Sequence, residues 1–210
     1  MTTLVYGASG HALVVADLLR KSGKDVFCYV DGVNEAREGE AFGGAHVRGA
    51  RAVEEAWADG VREAVVAVGD NAARVQIGRR LQAVGYHLPP LTHPSAVVAL
   101  DATLGDGTIV CANAVVGAGA SVGEHVLINT AASVDHESVL GTGVHVSPGA
   151  HLGGRVAVGE ESWVGIGAVV RDRIRIGARS VIGAGAAVVT DIPDGVVAYG
   201  VPARIIREVP

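Results

Sequence analysis

The sequence predicts a two-part chain, with a small parallel α/β unit over residues 1–85 and a parallel β-solenoid over residues 86–210. Two observations carry this. In the first part, short apolar runs alternate with runs of helical period, as strands and crossover helices do. In the second, an aliphatic residue recurs at every sixth position from Leu104 to Val188, fifteen times without an insertion. With about half of all residues apolar, chance would give such a run roughly once in 30,000 trials.

The opening "TTLVYGASGHALVVADLLRKSG" is a short strand, a glycine-containing loop, and a helix with Ala12, Val15, Ala16 and Leu19 on one side. "DVFCYVDG" is a second strand ending at Asp31, and residues 51–59 read as a helix. "EAVVAVGD" is a third strand, and "NAARVQIGRRLQAVG" is a helix that stops at Gly85. Such alternation makes the unit Rossmann-like. "YHLPPLTHPSAVV" then leads into the repeat, with which Val98 is already in phase.

A period of six matches neither the 3.6 of a helix nor the 2.0 of a strand. It fits short extended segments separated by tight turns, with the aliphatic residue pointing into a narrow interior. The residue after it is Gly in nine of the fifteen hexads, where a bend with positive φ is expected. The residue four after it is small or β-branched, as in Thr108, Ala114, Ala120, Val126 and Ala132. Each segment then stacks on the next coil at about 4.8 Å, so a coil finds its backbone partners only in its neighbours.

Composition excludes several classes. A net charge of −5 offers no basic face to nucleic acid. The thirty glycines follow no G-X-Y period, so the chain is not collagen-like. With 49% hydrophobic and 19% charged residues it is neither disordered nor a coiled coil. Cys28 and Cys111 are expected as buried free thiols in a reducing compartment. The start has no basic leader, and no run of about eighteen apolar residues occurs, so a cytoplasmic protein without membrane insertion is expected.

Two places stand out as sites. The loop "GASGH", Gly7 to His11, joins a strand to a helix whose N-terminal N–H groups suit a negatively charged ligand, although it is not G-x-G-x-x-G. Ser9, Gly10 and His11 there, Asp31, and Asn71 in "GDN" all fall at the carboxyl ends of parallel strands, where such sheets bind ligands. An Asp carboxylate accepts from the N3–H of uracil or thymine, which leaves UDP and dTDP both open. The other place is "VDHESVLG", where His136 sits between Asp135 and Glu137 inside a Val, Ala and Gly repeat. It follows "INTAAS", in which Asn129 takes the usual glycine position, and Gly153-Gly154 is expected one coil above. His125 occupies a different phase of the repeat from His145 and His151, so no metal site is expected from the three.

The hexads resemble those of the hexapeptide-repeat acyltransferases. That resemblance implies a left-handed β-helix of triangular section, three hexads to a coil, and a homotrimer holding acetyl-CoA between adjacent prisms. "INTAASVDHESVLGTGVHVSPGAHLGG" is similar to the active-site segment of bacterial nucleotide-sugar N-acetyltransferases and sialic-acid O-acetyltransferase-like proteins. "GASGH" resembles the "GxGGH"-type loop of their N-terminal domain, while "YVDG" has one acid where that family has two. The implied activity is transfer of acetyl from acetyl-CoA to the amine of a nucleotide-linked amino sugar, a 4-amino-4,6-dideoxy sugar. A histidine suits the proton transfer from the attacking nitrogen, a carboxylate can fix its tautomer, and backbone N–H groups can steady the oxyanion.

Residue by residue, the resemblance implies His136 as general base, with Asp135 or Glu137 as its orienter, and Asn129 as a substrate contact. It puts His145, Gly154, Ile166, Ala184 and Arg204 along acetyl-CoA, with Gly154 leaving room for the thioester. Arg204 belongs to "YGVPARIIREVP", which matches the family ending and otherwise reads as a terminal cap. No cysteine lies near His136 in sequence, so direct transfer is expected. The rival readings are a sugar O-acetyltransferase and a non-catalytic sugar-nucleotide-binding scaffold.

Overall fold

The computed structural model describes residues 2–209. The chain forms two compact units that part between Pro94 and Ser95. The first contains β1 (Thr2–Tyr6), α1 (Gly10–Lys21), β2 (Asp25–Val30), β3 (Ala41–Phe42), β4 (Ala45–Arg48), α2 (Ala52–Ala58), β5 (Glu63–Val66) and α3 (Asn71–Val84). Its sheet has the order β3-β4-β2-β1-β5, with β1, β2, β4 and β5 parallel. The chain moves outward from β1 to β4, then returns to lay β5 on the far side of β1. That reversal opens a crevice at the carboxyl ends of β1 and β5.

Helix α1 forms because Ala12, Val15, Ala16, Leu18 and Leu19 make one buried stripe. Helix α3 starts where the Asp70 carboxylate accepts the Ala73 N–H at 2.8 Å, and it stops at Gly85, whose φ is 117°. Leu4, Val30, Val53, Ala64 and Leu81 lie in the core between sheet and helices.

Two features differ from the sequence expectation. The β3–β4 hairpin was not expected; its Gly43-Gly44 turn has φ of 51° and 84°, as a two-residue hairpin turn requires. The α/β unit also continues past residue 85 to Pro94. The reason is burial: Tyr86 and Leu88 are 3% and 2% exposed in the same core, and the Tyr86 hydroxyl donates to the Val53 carbonyl at 2.7 Å.

The second unit is a left-handed β-helix of two-residue strands in three parallel sheets, one per face. The first face carries Leu127–Ile128, His145–Val146, Trp163–Val164 and Val181–Ile182. The second carries Val115–Val116, Ser133–Val134, His151–Leu152 and Val169–Val170. The third carries Ser121–Val122, Val139–Leu140, Ala157–Val158 and Arg175–Ile176. Stacked partners are eighteen residues apart, as Val116, Val134 and Leu152 are. The second residue of each strand points inward, and from Val110 to Val188 none of the repeating aliphatics is more than 4% exposed.

The corners correct one expectation. From Leu104 to Ile182, positive φ falls on the third residue after each inward aliphatic, as at Asn113, Gly119, Ala131, Glu137 and Arg155, and not on the first. Glycine at the first position is there for clearance. A Cβ on Gly141 would stand 2.7 Å from the Glu160 nitrogen in the next coil, and one on Gly153 would stand 2.8 Å from that of Asp172. At the fourth position, buried hydroxyls bridge coils. Ser138 Oγ donates to the Gly153 carbonyl and accepts the Val156 N–H, both at 3.1 Å, and Thr108 does the same with Gly123 and Val126.

The last coil ends in a strand over Val196–Gly200, parallel to Val181–Ile182, and an antiparallel strand over Ala203–Glu208 that folds back on it. Cys28 and Cys111 are buried and free. No helix among the described residues is long and apolar enough to cross a membrane.

Candidate active site

Asp135, His136 and Glu137 form the corner between the second and third faces. The two acids do different things. Asp135 Oδ1 accepts the His136 backbone N–H at 2.7 Å, so it steadies the turn. Glu137, in the left-handed position with φ 56°, brings its Oε2 to 3.1 Å from His136 Nδ1. With Nδ1–H donating to that carboxylate, the lone pair lies on Nε2. The ring is half exposed.

The neighbouring coils shape the seat of this ring. Below, a Cβ on Gly117 would stand 2.7 Å from the His136 nitrogen. Above, a Cβ on Gly154 would overlap Nε2 itself. Gly154 was expected to clear space for a thioester; the space it clears is filled by the imidazole. Its neighbour Arg155 donates Nε–H to Glu137 Oε2 at 2.9 Å, and its Nη2 lies 2.8 Å from the same oxygen as an ion pair. The Arg155 guanidinium, and then the His136 ring, hold the Glu137 carboxyl below the usual carboxylate range, so it is ionised at neutral pH.

The first face carries a second group. His145, buried, stacks on Trp163 with ring centroids 5.1 Å apart and planes 19° apart. Asn129 Nδ2 lies 3.2 Å from His145 Nε2, and Asn129 Oδ1 accepts the Thr130 N–H at 2.8 Å. Trp163 Nε1–H donates to Ser147 Oγ at 2.6 Å. Beside them runs an apolar groove of about 250 Å³ that Trp163, Ile166 and Ala184 line. Arg204 lies apart from this groove's lining, on the antiparallel tail strand opposite Tyr199, with Nη1–H donating to the Ala203 carbonyl at 3.0 Å.

In the α/β unit, Gly7 has φ 121° and passes so close to β5 that a Cβ would stand 2.5 Å from the Ala67 oxygen. Ser9 caps α1 in extended backbone without a side-chain bond, and the space around Gly10 is open. His11 Nε2 is buried without a hydrogen-bond partner. Burial, with help from the Arg74 charge, pushes the His11 pKa down to about 4, so the ring is neutral at physiological pH. Arg74 is fully buried, and its Nη2–H donates to Asn71 Oδ1 at 2.8 Å, which commits Asn71 to that bond.

Asp31 is likewise committed. Its Oδ1 accepts the Val33 and Asn34 N–H groups, both at 3.0 Å, and its Oδ2 meets Arg37 Nη1 at 3.3 Å. Arg37 Nη1–H also donates to the Ala8 carbonyl at 2.6 Å. Asp31 therefore ties the second loop to the first, where the sequence suggested a free acceptor for a nucleobase. The two backbone N–H groups, Asn34 foremost, hold its carboxyl below the usual range.

Comparison with known proteins gives this geometry a context. The PglD N-terminal domain family matches residues 3–81. The acetyltransferase domain of PglB from Neisseria gonorrhoeae, solved with acetyl coenzyme A, is 40% identical over 98% of each chain, with a TM-score of 0.91. A variant of perosamine N-acetyltransferase from Caulobacter crescentus, solved with CoA and GDP-perosamine, is 38% identical over 99% of this chain and 98% of that one, with a TM-score of 0.94. The chain belongs to the hexapeptide-repeat sugar acetyltransferases. WeeI from Acinetobacter baumannii, 23% identical over 98% of this chain and 100% of that one with a TM-score of 0.86, shares the fold. No curated protein matched the chain.

Within the chain of this acetyltransferase, the expected site residues fall into separate groups. His136 and Glu137 stand at the corner between the second and third faces, whereas Asn129 and His145 meet on the first face, across the prism. Arg155 and Trp163 were not singled out from the sequence. The signal was present, because each lies eighteen residues, one coil, after a residue that was: Glu137 and His145. Arg37 and Arg74 carried no such signal: Arg37 lies in the connection between β2 and β3, and Arg74 within α3.

Proposed function

We propose that this acetyltransferase moves the acetyl group of acetyl-CoA directly to the amine of a nucleotide-linked amino sugar, a 4-amino-4,6-dideoxy sugar, with His136 as general base. The observation that carries the reading is the Glu137–Nδ1 contact, which leaves Nε2 as the proton acceptor. The neutral amine attacks the thioester carbonyl carbon; a C–N bond forms and the carbonyl π pair moves onto oxygen. Nε2 takes the proton from nitrogen. The intermediate then collapses, the C–S bond breaks, and the CoA thiolate leaves and takes up a proton. The ionised Glu137 stabilises the imidazolium that exists between these steps.

The two units divide the substrates. Ser9, Gly10 and the buried Nε2 of His11, at the N-terminus of α1, suit the anionic nucleotide part. The groove beside Ile166 and Ala184 suits the apolar arm of acetyl-CoA. The relatives solved with acetyl coenzyme A and with GDP-perosamine support both assignments. Because the His136 corner and the Asn129–His145 group lie on opposite sides of one prism, a site using both takes two copies. A closed ring of three prisms, the homotrimer, supplies that arrangement. Acetyl-CoA is a cytoplasmic metabolite, which favours the cytoplasm as the place of reaction.

The test is thiol release from acetyl-CoA across UDP-, dTDP- and GDP-linked amino sugars and their hydroxyl counterparts. His136→Ala should lower kcat by about 10²-fold or more, with sedimentation still that of a trimer. His151→Ala, on the exposed second face, is the control and should be silent. Full activity in His136→Ala would sink the mechanism, and a monomer at micromolar concentration would sink the shared site.

A further inference from the structure

We infer that Arg155 is a positioning residue for the transfer: from the next coil it clamps the Glu137 carboxylate that orients His136. This rests on the reading of His136 as the base. Glu137 is exposed over about half its side chain, 54%. A lone carboxylate so placed samples several rotamers, and one exposed ion pair contributes only about 0–1 kcal/mol. Something must hold it if it is to hold the ring.

Arg155 does so with its guanidinium. Its Nε–H donates to Glu137 Oε2 at 2.9 Å and its Nη2 stands 2.8 Å from the same oxygen, the one that faces His136 Nδ1. Its backbone N–H donates to the His136 carbonyl at 2.8 Å. The match is built into the coil. Glu137 and Arg155 both occupy the left-handed corner position, with φ of 56° and 59°, eighteen residues apart, so their side chains leave adjacent coils in register. The position one coil below is Gly119, which offers no competing charge.

Charge follows from the same geometry. When His136 takes the proton, imidazolium and guanidinium share one carboxylate oxygen. Removing Arg155 frees Glu137 to leave the ring, so Nδ1 loses its fixed partner and the ring its fixed tautomer. The other charged groups near the corner are Asp135, bound to the turn's own N–H, and Arg171, Asp172 and Arg173 one coil further on; the coil below, Gly117-Ala118-Gly119, has none.

The experiment measures kcat and both KM values for Arg155→Ala and Arg155→Lys, alone and with Glu137→Gln. Arg155→Ala should lower kcat about five-fold, with each KM within about two-fold. Arg155→Lys, which keeps the charge without the planar guanidinium, should restore only part of kcat. In the Glu137→Gln background Arg155→Ala should add nothing. A change confined to either KM, full rescue by Arg155→Lys, or full additivity with Glu137→Gln would overturn the inference. If these occur while His136→Ala is inactive, the base assignment survives and only the role of Arg155 falls; a fully active His136→Ala would overturn both.

Discussion

A methyl group added at Gly154 would overlap Nε2 of His136, and the half-exposed ring can respond only by turning away from Glu137. The backbone there is not left-handed, so alanine itself is tolerated. Gly154→Ala should therefore keep its melting temperature while kcat falls toward that of His136→Ala. Wild-type kcat in this variant would show that the ring position does not matter. At this scale the sequence was partly legible. His136 stood out because it carries a titratable ring within an apolar repeat, yet it could not say which acid meets the ring. Strand alternation sends both Asp135 and Glu137 to the side away from His136, and the corner overrides it: the left-handed φ of Glu137 returns that carboxylate to Nδ1. Asp31 and Asn71 were legible as positions but not as roles, because nothing in the sequence marks Arg37, six residues on, or Arg74, three residues on inside a helix, as their partners.

The coil is the element on which the rest depends, and its glycines fall into two kinds. Gly141 stands where a Cβ would press on the next coil's backbone, whereas Gly167 has φ 64° and nothing within 4 Å of its Cβ direction. Gly141→Ala should cost about 1–3 kcal/mol in overpacking. Gly167→Asn should lie within about 0.5 kcal/mol of the parent, since Asn113 already adopts that conformation at the equivalent corner. Chemical denaturation measures both, and a reversed order would show that the two positions had been confused. The six-residue period made the coils readable because each inward aliphatic is a core residue. It could not separate clearance from left-handed turning, since glycine serves both. The β3–β4 hairpin escaped notice for a related reason: Ala41–Phe42 is too short to show alternation, and only the Gly43-Gly44 pair marked it.

For the molecule as a whole, the sequence separates sheet from solenoid because their periods differ, but the apolar residues that carry Tyr86 and Leu88 into the first core have no period to read. A parallel stack has no natural end, since every coil presents to the next the N–H and C=O groups that it received from the last. The antiparallel strand Ala203–Glu208 breaks that rule: it reverses direction and sets Arg204, Arg207 and Glu208 on the outermost strand. The reversed strand thus covers the growing edge of the first face, where it is expected to act as a polymerisation stop. A chain cut after Gly195 would leave the strand Val181–Ile182 with an open edge of the same geometry as the one it rests on, a template for another molecule. Such a chain should lengthen end to end into fibres whose mass grows with concentration, visible by light scattering and electron microscopy, while the full chain stays at a fixed size. Equal scattering from both would assign the stop to something other than the reversed strand.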